Sequence, residues 1–160
     1  MFTFDIDETS DKQVLYKDLV QAADALTEGE PDAVANMANL SSLIWQYLPD
    51  LNWAGFYRMI DGELVLGPFQ GKAACIRIAV GAGVCGAAAQ SGETQCVDDV
   101  HAFPGHIACD GDSRSELVVP ILKDGKVVAV LDLDSPLPSR FDADDVMGGE
   151  AIAALMAGRV

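Results

Sequence analysis

The chain has 160 residues, half of them hydrophobic, and its 25 acidic and 10 basic side chains leave a formal charge of −15. That length suits one domain with a core of its own, and the apolar content excludes a disordered chain. The acidic field excludes nucleic acid and anionic membrane as natural partners.

The opening residues, MFTFDIDETS, lack the basic and apolar regions of a signal peptide, and no apolar run approaches the ~20 residues that span a bilayer. A cytoplasmic protein is expected, with its four cysteines reduced at rest and any disulfide transient. Ser10 is a candidate N-cap, with Gln13 completing a capping box. Leu15, Leu19, Ala22 and Leu26 then repeat at helical spacing. Gly29 and Pro31 end that helix, and Pro31 suits the first turn of a second one. The second helix carries Val34, Met37, Leu40, Ile44 and Leu48 on its apolar face and stops at Pro49. From Asn52 the period changes to that of strands. NWAGFYRMI and ELVLGPF flank Asp61-Gly62, which predicts a β-hairpin closed by Gly67 and Pro68. Residues 69–74 read as loop and Cys75–Ile78 as a short strand. Small residues after Gly83 predict a tight helix ending at Gly92, and Thr94–Val97 a further short strand. A long connection follows, rich in polar groups and broken by Pro104, Gly105 and Gly111. Ser115–Lys123 and Lys126–Asp134 form a second hairpin about Asp124-Gly125, and Asp142 caps a last helix. Helices at both ends with hairpin-linked strands between them predict an α+β fold on an antiparallel sheet, as one domain over 1–160. The N-terminal helices fall at about 11–48, the sheet and its loops at about 51–135, and the C-terminal helix at about 142–158.

The chemistry-bearing residues are the cysteines at 75, 85, 96 and 109 and a set of carboxylates. No C-x-x-C occurs, so a thioredoxin motif and a zinc knuckle are both absent. Ligands drawn from His101, His106 and Cys109 match no common zinc spacing, and no metal site is expected. The deaminase signature is absent too. Thiol redox chemistry remains, set against four packing cysteines. Cys109 lies in the long loop, and Cys85 at a helix N-terminus whose dipole would favour thiolate. Cys75 follows a loop from which it could approach either. Glu116, Asp132 and Asp134 lie on the two strands of the second hairpin, near one end of the sheet, and Asp132 and Asp134 share a face. Such a cluster could bind an ammonium and hold a carboxyl protonated.

The words GPFQGKAAC (67–75), GVCG (83–86), DVHAFPGHIACD (99–110), SELVVP (115–120) and VLDLDS (130–135) resemble the free methionine-(R)-sulfoxide reductases, a GAF-fold family. The resemblance runs from about Asn52 to Phe141. It implies a GAF-like α+β fold and a thiol-dependent reductase that converts free L-methionine (R)-S-oxide to L-methionine. By that resemblance Cys109 attacks the sulfoxide, Cys75 resolves the sulfenic acid as a disulfide, and Cys85 is a third redox cysteine and the alternative nucleophile. Glu116, Asp132 and Asp134 match residues that hold the substrate, and Trp53 and Tyr57 match the wall around its methyl group; a sulfoxide also needs a proton on its oxygen, which a crowded carboxylic acid such as Glu116 can supply. Cys96 has no counterpart. The resemblance also implies thioredoxin as reductant, no cofactor and a homodimer. Two competing readings are a GAF-type sensor of a small ligand or of redox state, without turnover, and a thiol switch acting on a partner protein.

Overall fold

The fold is described from a computed structural model over residues 4–7, 10–105 and 111–160. Two helices, α1 (Lys12–Thr27) and α2 (Ala33–Tyr47), lead into the strands β1 (Trp53–Ile60), β2 (Glu63–Gly71) and β3 (Arg77–Ala79). Helix α3 (Gly83–Ser91), strand β4 (Gln95–Val97) and a 3₁₀ turn at Val100–Ala102 follow. Strands β5 (Ser115–Lys123) and β6 (Lys126–Ser135) and helix α4 (Ala143–Met156) complete the chain. The strands form one antiparallel sheet in the order β3-β2-β1-β6-β5-β4. The α+β architecture on an antiparallel sheet expected from the sequence is therefore observed. No helix among the described residues is long and apolar enough to cross a membrane.

Several boundaries differ from the sequence expectation. Asp11, not Ser10, caps α1, its carboxylate accepting from Gln13 N–H. Asp32 caps α2 through Ala35 N–H, which leaves Pro31 outside the helix. Strand β2 runs through Gly67 and Pro68 to Gly71, because a one-residue bulge opposite Gly55–Tyr57 accommodates them. A proline has no N–H for the ladder, so it is tolerated at a bulge. Strand β3 begins at Arg77, so Cys75 stands in the connection before it. Both hairpin turns match expectation: Asp61 and Gly62, like Asp124 and Gly125, have positive φ, the conformation that continues the sheet twist.

The two faces of the sheet do different work. Ala54, Phe56, Leu117, Val119, Leu131 and Leu133 point into the main core with α1, α2 and α4. Trp53, Tyr57, Val118 and Val130 point to the other face, where they pack with Val84, Cys85 and Ala88 of α3. Helix α4 can lie close on α1 because of Gly148: a Cβ there would sit 2.1 Å from the Tyr16 ring. A buried polar knot fixes the same junction. The Tyr16 hydroxyl, Arg140 and Lys12 all donate to the fully buried Asp145 carboxylate, at 3.0, 2.8 and 2.5 Å. Asp145 also closes the predicted cap of α4 by accepting from Asp142 N–H.

Cross-strand register decides which side chains meet. Glu116 pairs with Asp134 and Val118 with Asp132 across β5 and β6, while Trp53 pairs with Asp134 and Gly55 with Asp132 across β1 and β6. A bulge between Ile121 and Leu122 shifts the β5–β6 register by one residue. Counted from the turn without that bulge, Glu116 would stand opposite Leu133, and its side chain would lie on the face packed against α1, α2 and α4.

Candidate active site

Strand alternation brings Trp53 and Tyr57 of β1, Asp132 and Asp134 of β6 and Glu116 of β5 to one face of the sheet. Helix α3 lays Cys85 over them. All six line a single cavity of about 520 Å³, counting the part open to solvent.

The aromatic side is built by stacking. The Trp53 ring lies 5.8 Å from that of Tyr57 and 5.1 Å from that of Phe69. Gly55 makes this approach feasible, since a Cβ there would meet the Phe69 Cβ at 2.4 Å. The indole N–H donates to the Lys72 carbonyl and the Tyr57 hydroxyl to the Cys75 carbonyl, at 3.1 and 3.0 Å. Two core aromatics thus hold the backbone of the 72–75 connection against the cavity.

The polar side crowds three ionisable groups. The Cys85 thiol donates to Asp132 Oδ2 at 3.2 Å and lies 4.0 Å from Glu116 Oε1. Cys85, Asp132 and Glu116 are only 4%, 5% and 7% exposed. Among the described residues no cation forms an ion pair with Glu116 or Asp132, and Asp132 Oδ1 accepts no hydrogen bond. Burial penalises the charged forms, and neighbouring carboxylates add to that penalty. Glu116 is raised well above the usual carboxylate range, by burial first and then by Asp132 and Asp134. Asp132 is raised by burial to about 7, against a smaller opposing effect from the Cys85 hydrogen bond. Cys85 is raised well above an ordinary thiol, again by burial first and then by Asp132 and Glu116. Cys85 does stand in the first turn of α3. The dipole there does not yield a thiolate, because burial beside two acids outweighs it. The effect of a helix terminus is about 0.3–1 kcal/mol, up to ~2, whereas full burial can shift a pKa by several units.

The other predicted residues are placed as follows. Cys75, in the connection between β2 and β3, is disulfide-bonded, while Cys85 and Cys96 are free thiols. Cys109, like His106, lies outside the described residues. Cys96 is exposed on β4, away from the cavity, with its sulfur 3.6 Å from the Phe141 carbonyl. His101 lies in the exposed 3₁₀ turn. Two cavity residues went unnoticed in the sequence. Ser113 is buried and bonds to Asn52 Nδ2 at 3.0 Å. Lys72 lines the rim and forms an exposed ion pair with Asp112, tying the 72–75 connection to the segment before β5. Lys72 stood in the quoted GPFQGKAAC word, whereas nothing near Ser113 announced it.

A GAF-domain family profile matches residues 34–158. The free methionine-R-sulfoxide reductase of Escherichia coli is 48% identical over 143 residues, covering 89% of this chain and 87% of its own. The enzyme of the same name from Saccharomyces cerevisiae is 46% identical over 91% of this chain and 85% of its own. The X-ray structure of free methionine-R-sulfoxide reductase from Neisseria meningitidis, in complex with its substrate, superposes with a TM-score of 0.94. It is 40% identical and covers 99% of this chain and 95% of its own. The chain belongs to the GAF-domain family of free methionine-R-sulfoxide reductases.

Proposed function

We propose that this protein reduces free L-methionine (R)-S-oxide to L-methionine, using Cys109 as nucleophile, Cys75 as resolving thiol and thioredoxin as the reductant that restores them. The observation that carries this reading is the meeting of Trp53 and Tyr57 with Glu116, Asp132 and Asp134 in one cavity. The acids suit the substrate ammonium, and the stacked rings suit its methyl and thioether end. A sulfoxide is a poor electrophile until its oxygen is protonated. Glu116, whose carboxyl favours the neutral form, is the proton donor. The Cys109 thiolate attacks sulfur, oxygen passes to Cys109 as sulfenic acid, and methionine departs. The Cys75 thiol then displaces that oxygen as water and closes a disulfide. The oxidised state of Cys75 and the free thiols at Cys85 and Cys96 are consistent with a Cys75–Cys109 pair. Burial and a raised pKa make Cys85 a poor first nucleophile. As the third redox cysteine it accepts a disulfide only after local movement.

An assay with a dithiol tests the reading and separates it from a sensor. Free methionine (R)-sulfoxide should be consumed with formation of methionine. The S epimer and peptide-bound sulfoxide should react poorly, because a peptide chain offers no ammonium to the acids. Equal rates on an oxidised peptide and on the free amino acid would remove the ammonium site, and ligand binding without methionine formation would favour the sensor.

A further inference from the structure

We propose that Cys85, Glu116 and Asp132 form a binding site for a thiophilic divalent cation of the Zn²⁺ type, and that such an ion plugs the substrate cavity. One ligand atom from each of the three lies within 4.8 Å of those of the other two. Zinc binds sulfur at about 2.3 Å and carboxylate oxygen at about 2.0–2.2 Å; tetrahedral angles then separate sulfur from oxygen by about 3.6 Å. The two separations in the protein, 3.2 and 4.0 Å, bracket that value. Asp132 adds an unpaired oxygen to the cluster, because only its Oδ2 accepts from the Cys85 thiol. It is 95% buried, since 5% is exposed, it lines the cavity, and its Oδ1 has no hydrogen-bond partner. An acceptor in that state is costly unless something positive meets it. Three protein ligands also leave the fourth position open, and the cavity supplies the opening. The sulfur ligand selects against Mg²⁺ and Ca²⁺, which prefer all-oxygen sites. Binding exchanges the ion for the thiol proton and any carboxyl protons, which pass to solvent, and changes no oxidation state.

The metal binding stands apart from the reductase reading; only the consequence, loss of turnover, rests on it. The test uses the oxidised protein, in which Cys75 is held in its disulfide, with Cys96→Ser to remove the exposed thiol. Titration with Co²⁺ should give one equivalent of a tetrahedral complex with a thiolate-to-cobalt absorption band, and Zn²⁺ should displace it. Adding Cys85→Ser should abolish the band. Adding Asp132→Asn should weaken binding by at least about tenfold, the lower end of what even an outer-shell partner is worth. A featureless titration, a band that survives in the Cys85→Ser protein, or unchanged affinity in the Asp132→Asn protein would overturn the site. These readouts need no turnover, so a missing reductase activity would leave them interpretable.

Discussion

Cys109→Ser is expected to abolish turnover outright. A serine hydroxyl at neutral pH is not a comparable nucleophile, and no other thiol is well set to replace it. Cys85 is buried, raised in pKa and hydrogen-bonded to Asp132. Cys96 lies at a different surface, its sulfur near the Phe141 carbonyl. Cys75→Ser has a different expected signature: one methionine released per active site, followed by a stall with Cys109 as sulfenic acid or diverted to Cys85. Cys96→Ser should turn over almost normally. Rapid-quench measurement of methionine, with peptide mapping of the disulfide after one equivalent of substrate, distinguishes these outcomes. A full single turnover by Cys109→Ser would move the nucleophile to Cys85.

Glu116→Gln should retain the fold and lose about 10²–10⁴ in kcat, the range typical of general acid catalysis. Gln matches the size of Glu116 and can still donate a hydrogen bond to the sulfoxide, but it has no proton to give up. The pH profile separates this role from simple binding. Because burial and the neighbouring acids raise Glu116, the protonated form persists through neutral pH, and activity should fall as pH rises through its shifted pKa. The Gln variant should lack that descending limb. An unchanged rate at pH 7 would remove Glu116 from the mechanism.

Legibility from sequence followed the range of the interactions. The β5–β6 hairpin was readable because alternation and the Asp124-Gly125 turn are both local signals. The bulge between Ile121 and Leu122 was not, although it decides that Glu116 shares a face with Asp132 and Asp134. Helix α3 was legible from its small residues and Gly92. The state of Cys85 within it was not, since its partners Glu116 and Asp132 are 31 and 47 residues away. The Tyr16–Asp145 bond, spanning 129 residues, left no local trace for the same reason. Cys75 was displaced from strand to loop because its neighbours Ile76 and Ile78 alternate like a strand, while pairing begins only at Arg77. Trp53 and Tyr57 were legible only through the family resemblance, and both line the cavity.

The acid cluster also makes the resting protein a compromise between durability and readiness. A carboxyl whose pKa is raised on folding binds its proton more tightly in the native than in the unfolded chain. Its contribution to stability is therefore full at low pH and lost as pH rises from the unfolded value, about 4 for aspartate, through the folded one. For Asp132 that window closes at about 7, and Glu116 extends the decline in the same direction. Asp142, held down to about 2 by Lys12, works the other way and gives way only in acid. The melting temperature should accordingly drift downward between about pH 4 and pH 7, and Asp132→Asn should flatten that drift in a calorimetric series. A cationic occupant supplies the missing counter-charge, so the ligand-loaded protein should be the more heat-resistant one, by a margin that widens toward alkaline pH.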